Sequence, residues 1–336
     1  MPVDLSIIIV NYKTPELILD CIRSVKQQTT QITFEIIVVD NLSNDESERS
    51  ICTPNPDVKW LQLDYNAGFA RANNAGILHA KAGVILLLNP DTVNLNNAIE
   101  CCFNRFKSSA FVACGVQLIN PDNSPQISGN FFMTGGLNHL LPLPYLGALL
   151  RHIAFAIKVK KTNVEQASDE EKVDWINGAY LMVKKAAIEK AGLMDDDFFL
   201  YSEEIEWCSR LRKTGELCIY GDLKVLHLQG ETINKATETS DTGYTNLYDK
   251  KGLQLMVSNH VRIRKQYGVA WLLFHLLMHT AAIPVFAFCS FFNHLFRAKN
   301  PFADFGRIAG LTKNVLKLWL LMPAIIKNKP YFYKMF

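Results

Sequence analysis

The chain has 336 residues, of which 49% are hydrophobic and 20% charged; this excludes a disordered or low-complexity polypeptide and allows one large domain with an added segment, or two domains. The net charge of +3 conceals two regions of opposite sign: Lys251–Phe336 holds 12 of the 35 Lys/Arg but only one of the 32 acids, Asp304, so that stretch carries +11 and the first 250 residues carry −8. The eight cysteines are scattered, with no C-x-x-C, which argues against a disulfide framework or a structural zinc site and fits a reducing cytosol.

The amino terminus enters an apolar run, Leu5–Val10, with no basic segment and long apolar stretch before it, so no signal peptide is expected. That run reads as a buried strand ending at Asn11-Tyr12, and Thr14-Pro15 opens a helix with Thr14 at the N-cap and Pro15 at N1, carrying Leu17, Cys21 and Val25 on one face. Phe34–Val39 is a second strand, ending at the carboxylate Asp40; Ser43, Asn44 and Asp45 are expected to start a short helix, and Val58–Leu63 is a third, half-buried strand. In the stretch Tyr65–Gly76, small residues allow a helix start to approach a ligand, with Arg71 available to a phosphate; close helix–sheet packing explains the same residues. Val84–Leu88 then reads as a strand buried on both faces, stopped by Asn89-Pro90 and followed by a lone carboxylate, Asp91. A carboxylate just beyond the end of a buried strand suits a divalent metal held against a phosphate; alternatively, Asp91 N-caps a following helix.

This alternation of strand and helix predicts an α/β fold: a mainly parallel, doubly wound nucleotide-binding sheet with helices on both faces. No G-x-G-x-x-G follows the first strand and no G-x-x-x-x-G-K-[ST] is present, which counts against a dinucleotide fold and a P-loop enzyme. Asn120–Lys172, with turn signals and an apolar run broken by Pro142 and Pro144, reads as a long, partly mobile excursion over the site. Val173–Val183 restores a strand in which Gly178-Ala179 leaves room for a ligand, and Lys185–Ala191 is a helix closed by Gly192. Glu203, Glu204 and Glu206 open another helix, where the helix dipole favours carboxylates and Glu206 is spaced to pair with Arg210. The preceding aromatic residues would also raise a carboxylate's pKa toward that of a working base. Leu217–Tyr220 and Lys224–Leu228 read as two short strands, the second carrying His227, which is either a core residue or a metal ligand.

Six motifs, in order, are Ser6-Ile7-Ile8-Ile9-Val10-Asn11-Tyr12, Val38-Val39-Asp40-Asn41, Asn66-Ala67-Gly68-Phe69-Ala70, Leu88-Asn89-Pro90-Asp91, Trp175-Ile176-Asn177-Gly178-Ala179 and Glu203-Glu204-Ile205-Glu206. Together they resemble the family 2 glycosyltransferases, inverting enzymes of the A-type fold, and within them the rhamnosyltransferase-like branch; the resemblance covers roughly Asp4–Gly230. It implies that Asp40 hydrogen-bonds the pyrimidine of a sugar nucleotide, that Asp91 and His227 bind Mg²⁺ or Mn²⁺ on the diphosphate, and that Glu204 or Glu203 is the catalytic base. Asn11, Asn66, Gly68, Arg71, Asn89, Trp175 and Gly178 would complete the substrate-binding set. Two motifs depart from the family pattern: Asn-Pro-Asp stands for Asp-x-Asp, and Glu-Glu-Ile-Glu for Glu-Asp-x-Asp. The implied function is inverting transfer of a sugar, with dTDP-rhamnose as the suggested donor, to a lipid-linked or polysaccharide hydroxyl in cell-surface glycan synthesis. A UDP-hexose donor, or a non-catalytic sugar-nucleotide-binding or scaffold subunit of a membrane assembly, is the alternative.

From Tyr267 to Phe296 the chain has no Asp, Glu, Lys or Arg, and both flanks are basic. The length exceeds the ~20 residues that span a bilayer, but a single span would export a Lys/Arg-rich end, against the positive-inside tendency. A second apolar stretch, Ile308–Ile326, carries Lys313 and Lys317. We therefore expect a catalytic domain over 1–245 and a helical, apolar, basic segment over 246–336. This segment would lie in-plane or re-entrant on an anionic membrane, at the cytoplasmic face of the inner or plasma membrane. Its richness in Leu, Phe and Trp counts against nucleic acid as the partner of the basic charge.

Overall fold

The computed structural model describes residues 3–159, 161–228 and 246–336. The apolar runs become strands. β1 (Leu5–Asn11), β2 (Phe34–Asp40), β3 (Lys59–Gln62) and β4 (Val84–Leu88) alternate with α1 (Pro15–Gln28), α2 (Ser47–Cys52) and α3 (Gly68–His79). They lie parallel in the order β3-β2-β1-β4, because each strand returns through a helix rather than a hairpin. β1 and β4 are buried at every position, as expected of strands covered on both faces. Ile7, Ile9, Leu86 and Leu88 pack with Ile18, Cys21, Ile22 and Val25 of α1. On the opposite face a Cβ placed on Gly76 of α3 would meet Ile8 Cγ2 at 2.5 Å and Val39 Cγ2 at 3.2 Å, so close helix–sheet packing accounts for that glycine.

After β4 come β5 (Thr92–Asn94), α4 (Ala98–Ser108), β6 (Ala113–Ile119) and β7 (Gly129–Asn130), then a 3₁₀ segment (Thr134–Leu140) and α5 (Leu146–Ala156). β8 (Asn163–Val164), β9 (Glu171–Val173), β10 (Trp175–Ile176), β11 (Tyr180–Lys184), α6 (Lys185–Ala191), α7 (Glu203–Leu211) and β12 (Leu217–His227) follow. The main sheet continues from β4 through β11, β6 and β12 to β5, with β9 also on β12. β11 is antiparallel to both of its neighbours, and β12 is parallel to β6. β10, β7 and β8 form a small antiparallel sheet. The fold is thus α/β, with a mixed, mostly parallel central sheet.

Several local expectations are corrected. Asp91 does not N-cap a helix: β5 follows it, and α4 begins only at Ala98. The short helix begins at Ser47, whose N–H donates to Asp45 Oδ1, while Ser43 turns back onto Asp40. The two strands expected over 217–228 are one, β12, whose register with β6 shifts between Tyr220 and Lys224, a bulge that keeps the strand continuous. Val173–Val183 is broken into pieces of two sheets, with Gly178 in the turn between β10 and β11. The 120–172 excursion carries β7, α5, β8 and β9 rather than running as one structureless loop.

These elements fall in two compact units: one drawn from 3–132, 162–199 and 203–228, the other from 133–159, 161, 200–202 and 246–336. In the second, α8 (Lys250–Tyr267), α9 (Val269–Phe296) and α10 (Phe305–Lys327) pack with the 3₁₀ segment and α5. Asp249 caps α8, its Oδ1 accepting from Gly252 N at 2.7 Å, and Asn314 Nδ2 of α10 donates to the Leu247 and Asp249 carbonyls. α9 and α10 are both long and apolar enough to cross a membrane by length and composition.

Candidate active site

The site lies at the carboxyl ends of the strands of the first unit. Because β1 and β2 pair in register through Asn11↔Asp40, the last side chains of the two strands meet: Asn11 Nδ2 donates to Asp40 Oδ1 at 2.7 Å. Ser43 Oγ donates to the same oxygen at 2.5 Å, while Ser43 N (2.9 Å) and Gln62 Nε2 (2.8 Å) donate to Oδ2. Asp40 is buried, and these four donors satisfy both of its oxygens and fix the carboxylate in place. Of the four, Gln62 is the exposed one.

Asn41 joins this corner to α3. Its Oδ1 accepts from Ala67 N (2.7 Å), and its Nδ2 donates to Asn66 Oδ1 (3.0 Å), which also accepts from Gly68 N (3.2 Å). Asn66 therefore shapes the turn into α3. Gly68 has φ +74°, and a Cβ there would stand 2.2 Å from the Phe199 carbonyl oxygen. That oxygen accepts from Phe69 N at 2.8 Å, so the position needs glycine for both its backbone conformation and the close approach. Farther along α3, Asn74 is bonded to Met194 in both directions and donates to Asp196 Oδ1. Arg71 Nε donates to the Asp196 carbonyl (2.8 Å) and Nη1 to Tyr65 Oη. The 194–199 segment is thereby tied to α3.

α7 opens with the acidic cluster. Glu206 forms the expected pair with Arg210, which donates from Nε and Nη2 to both carboxylate oxygens and from Nη1 to the Ala191 carbonyl. Glu206 is thus fully committed to structure. Glu203 is buried, and its Oε2 has no hydrogen-bond partner among the described residues; burial first, and the neighbouring Glu204 charge second, hold its carboxyl well above the usual range. Glu204 is half-buried and lies against the β10–β11 turn: a Cβ on Gly178 would be 3.6 Å from Glu204 Cβ and Cγ and from Phe69 Cε1. Asn177 Oδ1 accepts from Ala179 N in that turn, and the Ala179 carbonyl accepts from Asn89 N at 3.0 Å. Asn89 begins the Asn-Pro-Asp turn, so Glu204 and Asp91 flank one connected pair of turns. Trp175, half-buried, stands in β10 opposite Asn130.

Asp91 is buried, and its Oδ1 lies 3.5 Å from His227 Nε2. The strands enforce this approach: β12 pairs with β5 through His227↔Thr92, and Leu228 N donates to the Asp91 carbonyl. Gln126, which sequence reasoning missed, orients the imidazole. Its Nε2 donates to Asn120 Oδ1 and to the His227 carbonyl, and its Oε1 faces His227 Nδ1 at 2.8 Å. With Nδ1 donating to that oxygen, the Nε2 lone pair points at Asp91. Asp91 Oδ1 accepts no hydrogen bond among the described residues. Two buried lone pairs facing each other are unfavourable unless a proton or a cation lies between them, and an imidazole held from behind by an amide is the usual arrangement of a metal-ligating histidine. The donor set therefore fits a divalent cation. No group of three or more His, Cys, Asp or Glu is gathered for a metal among the described residues, so the remaining ligands would come from substrate and water.

Residues 6–156 match the model of glycosyl transferase family 2. That match covers 151 of the 336 residues, and over it the chain is similar to that family. Among curated relatives, the chain is 28% identical over 221 residues to the low-salt glycan biosynthesis hexosyltransferase Agl10 of Haloferax volcanii, covering 62% of each chain. It is 24% identical over 216 residues to the N-acetylglucosaminyl-diphospho-decaprenol L-rhamnosyltransferase of Mycobacterium tuberculosis, covering 59% of this chain and 67% of that one. The match thus spans about three fifths to two thirds of these relatives' lengths. A crystal structure of GalNAc-T7 with UDP, GalNAc and Mn²⁺ superposes with a TM-score of 0.50 at 15% identity, over 80% of this chain and 56% of that one, which shows the A-type fold.

Proposed function

We propose that this chain transfers a sugar, with inversion, from a nucleoside diphosphate donor to a hydroxyl of a lipid-linked or polysaccharide acceptor. The observation that carries this reading is the pairing of two features at the strand ends: the Asp91–His227 pair with its facing lone pairs, and Glu204 on the other side of the connected turns. Asp91 and His227 would hold Mn²⁺ or Mg²⁺, and a mixed oxygen–nitrogen set leans toward Mn²⁺. Bound there, the cation would neutralise charge developing on the leaving diphosphate.

Glu204 is our choice of base, because it is half-exposed beside Gly178 whereas Glu203 is buried. It takes the proton of the acceptor hydroxyl while the hydroxyl oxygen forms a bond to the anomeric carbon. The bond from that carbon to the diphosphate oxygen breaks, and the nucleoside diphosphate leaves with the electron pair. Direct displacement of this kind inverts the anomeric centre. Asp40, Asn11 and Asn66 form the nucleotide end of the site, where displacement of exposed Gln62 would open Asp40 Oδ2 to an imino N–H of the base.

The name of the mycobacterial relative supports rhamnose as the sugar and a diphospho-polyprenol as the acceptor class. The apolar, basic helices α9 and α10 support docking on the membrane that carries such an acceptor. The eight free thiols support a cytoplasmic placement. The test is transfer from dTDP-rhamnose and from UDP-hexoses to a diphospho-polyprenol-linked sugar, with and without Mn²⁺. Metal-dependent product of inverted configuration supports the reading. No transfer from any donor by folded protein that still binds nucleotide would overturn it.

A further inference from the structure

The second unit contains an apolar helix that the tail does not supply. In α5, Leu146, Leu149, Leu150 and Ile153 recur at helical spacing, yet Gly147 is its one buried residue. Leu149, Ile153 and Phe155 within the helix, and Ile157 and Val159 just beyond it, are exposed, Phe155 by 85%. A run of large exposed apolar side chains on one short element marks a surface that something covers.

The chemistry of that cover is set by charge. The stretch Met133–Lys161 contains no acid and carries Arg151, Lys158, Lys160 and Lys161. Within the same unit, α5 begins beside the C-terminal half of α9: Tyr145 packs on Phe286 with ring centroids 6.1 Å apart, and its Oη faces Asn293 Nδ2 at 3.4 Å. That half of α9 exposes Phe288, Leu295 and Phe296 and is followed by Arg297 and Lys299. Two pieces of chain remote in sequence therefore bring together apolar side chains and positive charge. A second copy of this chain docking through this same face would present the same positive charge and repel it, whereas anionic lipid attracts it. At 11 residues, α5 is ~16 Å long, too short to cross a hydrocarbon core of ~30 Å, so its mode is to lie along the surface.

We propose that α5 is a membrane-docking helix, which lies in the headgroup region of an anionic bilayer beside the C-terminal half of α9. The proposal rests on the membrane-associated reading of the tail and extends it to a segment in the middle of the sequence.

The test uses the full chain with exposed Cys101 replaced by serine and an environment-sensitive fluorophore on either Phe155→Cys or Leu320→Cys, the latter an exposed position on α10. Each labelled protein is titrated with phosphatidylcholine vesicles with and without phosphatidylglycerol. The proposal expects both labels to shift to the blue with anionic vesicles. It also expects the double variant Ile153→Glu, Phe155→Glu to bind those vesicles at least ~10-fold more weakly with nucleotide binding unchanged. A shift at 320 without one at 155 would overturn the role of α5 and leave the membrane reading of the tail standing. No shift at either position would overturn both. A shift at 155 that depends on protein concentration and needs no vesicles would assign the face to a second copy and overturn the proposal.

Discussion

Asp91 Oδ1 and His227 Nε2 face each other across 3.5 Å although 136 residues separate them in sequence, because β12 returns beside β5 and places His227 opposite Thr92. The imidazole is aimed by Gln126, which grips both His227 Nδ1 and the His227 carbonyl. Gln126→Leu should weaken Mn²⁺-supported nucleotide binding by ~10–100-fold without unfolding the sheet. Gln126→Glu, which keeps an acceptor for Nδ1, should recover part of the loss. Isothermal titration of the two variants with Mn²⁺ and nucleotide checks this; equal affinity for all three proteins would remove Gln126 from the site.

Glu204 and Glu203 are adjacent in sequence but differ in surroundings, one half-exposed at Gly178 and one buried. Glu204→Gln should lower kcat by about 10²–10⁴-fold with KM for the donor little changed. Glu203→Gln should cost far less turnover. Steady-state kinetics of both variants decide the assignment, and the reverse ranking would make Glu203 the base.

Glu203 also predicts a pH dependence of stability. Burial and the Glu204 charge hold its folded-state carboxyl above the unfolded value of ~4.3. The folded chain therefore binds the proton more tightly, and this contribution is fully present below pH ~4.3 and lost as pH rises through the folded-state pKa. Glu203→Gln should have a higher Tm than the parent above neutral pH and converge with it in acid. Thermal melts across pH read the difference directly, and parallel curves would contradict it.

Gly68→Ala should destabilise the first unit by ~2–3 kcal/mol. The new methyl would be 2.2 Å from the Phe199 carbonyl oxygen, at a φ of +74°. The midpoint of urea unfolding measures the loss. A smaller loss at Gly178→Ala is expected, since a Cβ there meets neighbours only at 3.6 Å.

The nucleotide half of the fold was legible because its signals are local: uninterrupted apolar runs such as Ile7–Val10 and Leu86–Leu88 become buried parallel strands, with Asp40 as the last residue of β2 and Asp91 just past the end of β4. What escaped depends on long-range pairing. β5 and β6 have no strong periodic signal, and β5 is a strand because β12 pairs with it. Gln126 lies in a stretch without pattern, and its role appears only when His227 arrives from 101 residues away. Asn41, Asn74 and Gln62 were likewise unreadable, since amide side chains acquire a task only from the groups that surround them. The Glu206–Arg210 pair, set by spacing on one helix, was readable in advance.

The most direct test of the account is calorimetric titration of the full chain with dTDP and with UDP, with and without Mn²⁺, in the parent and in Asp91→Ala. The account predicts nucleotide binding that Mn²⁺ strengthens in the parent, and loss of that Mn²⁺ effect in Asp91→Ala, with the metal-free affinity retained through the Asp40 corner. Equal enhancement by Mn²⁺ in both proteins, or no binding of either nucleotide by folded parent, would contradict it.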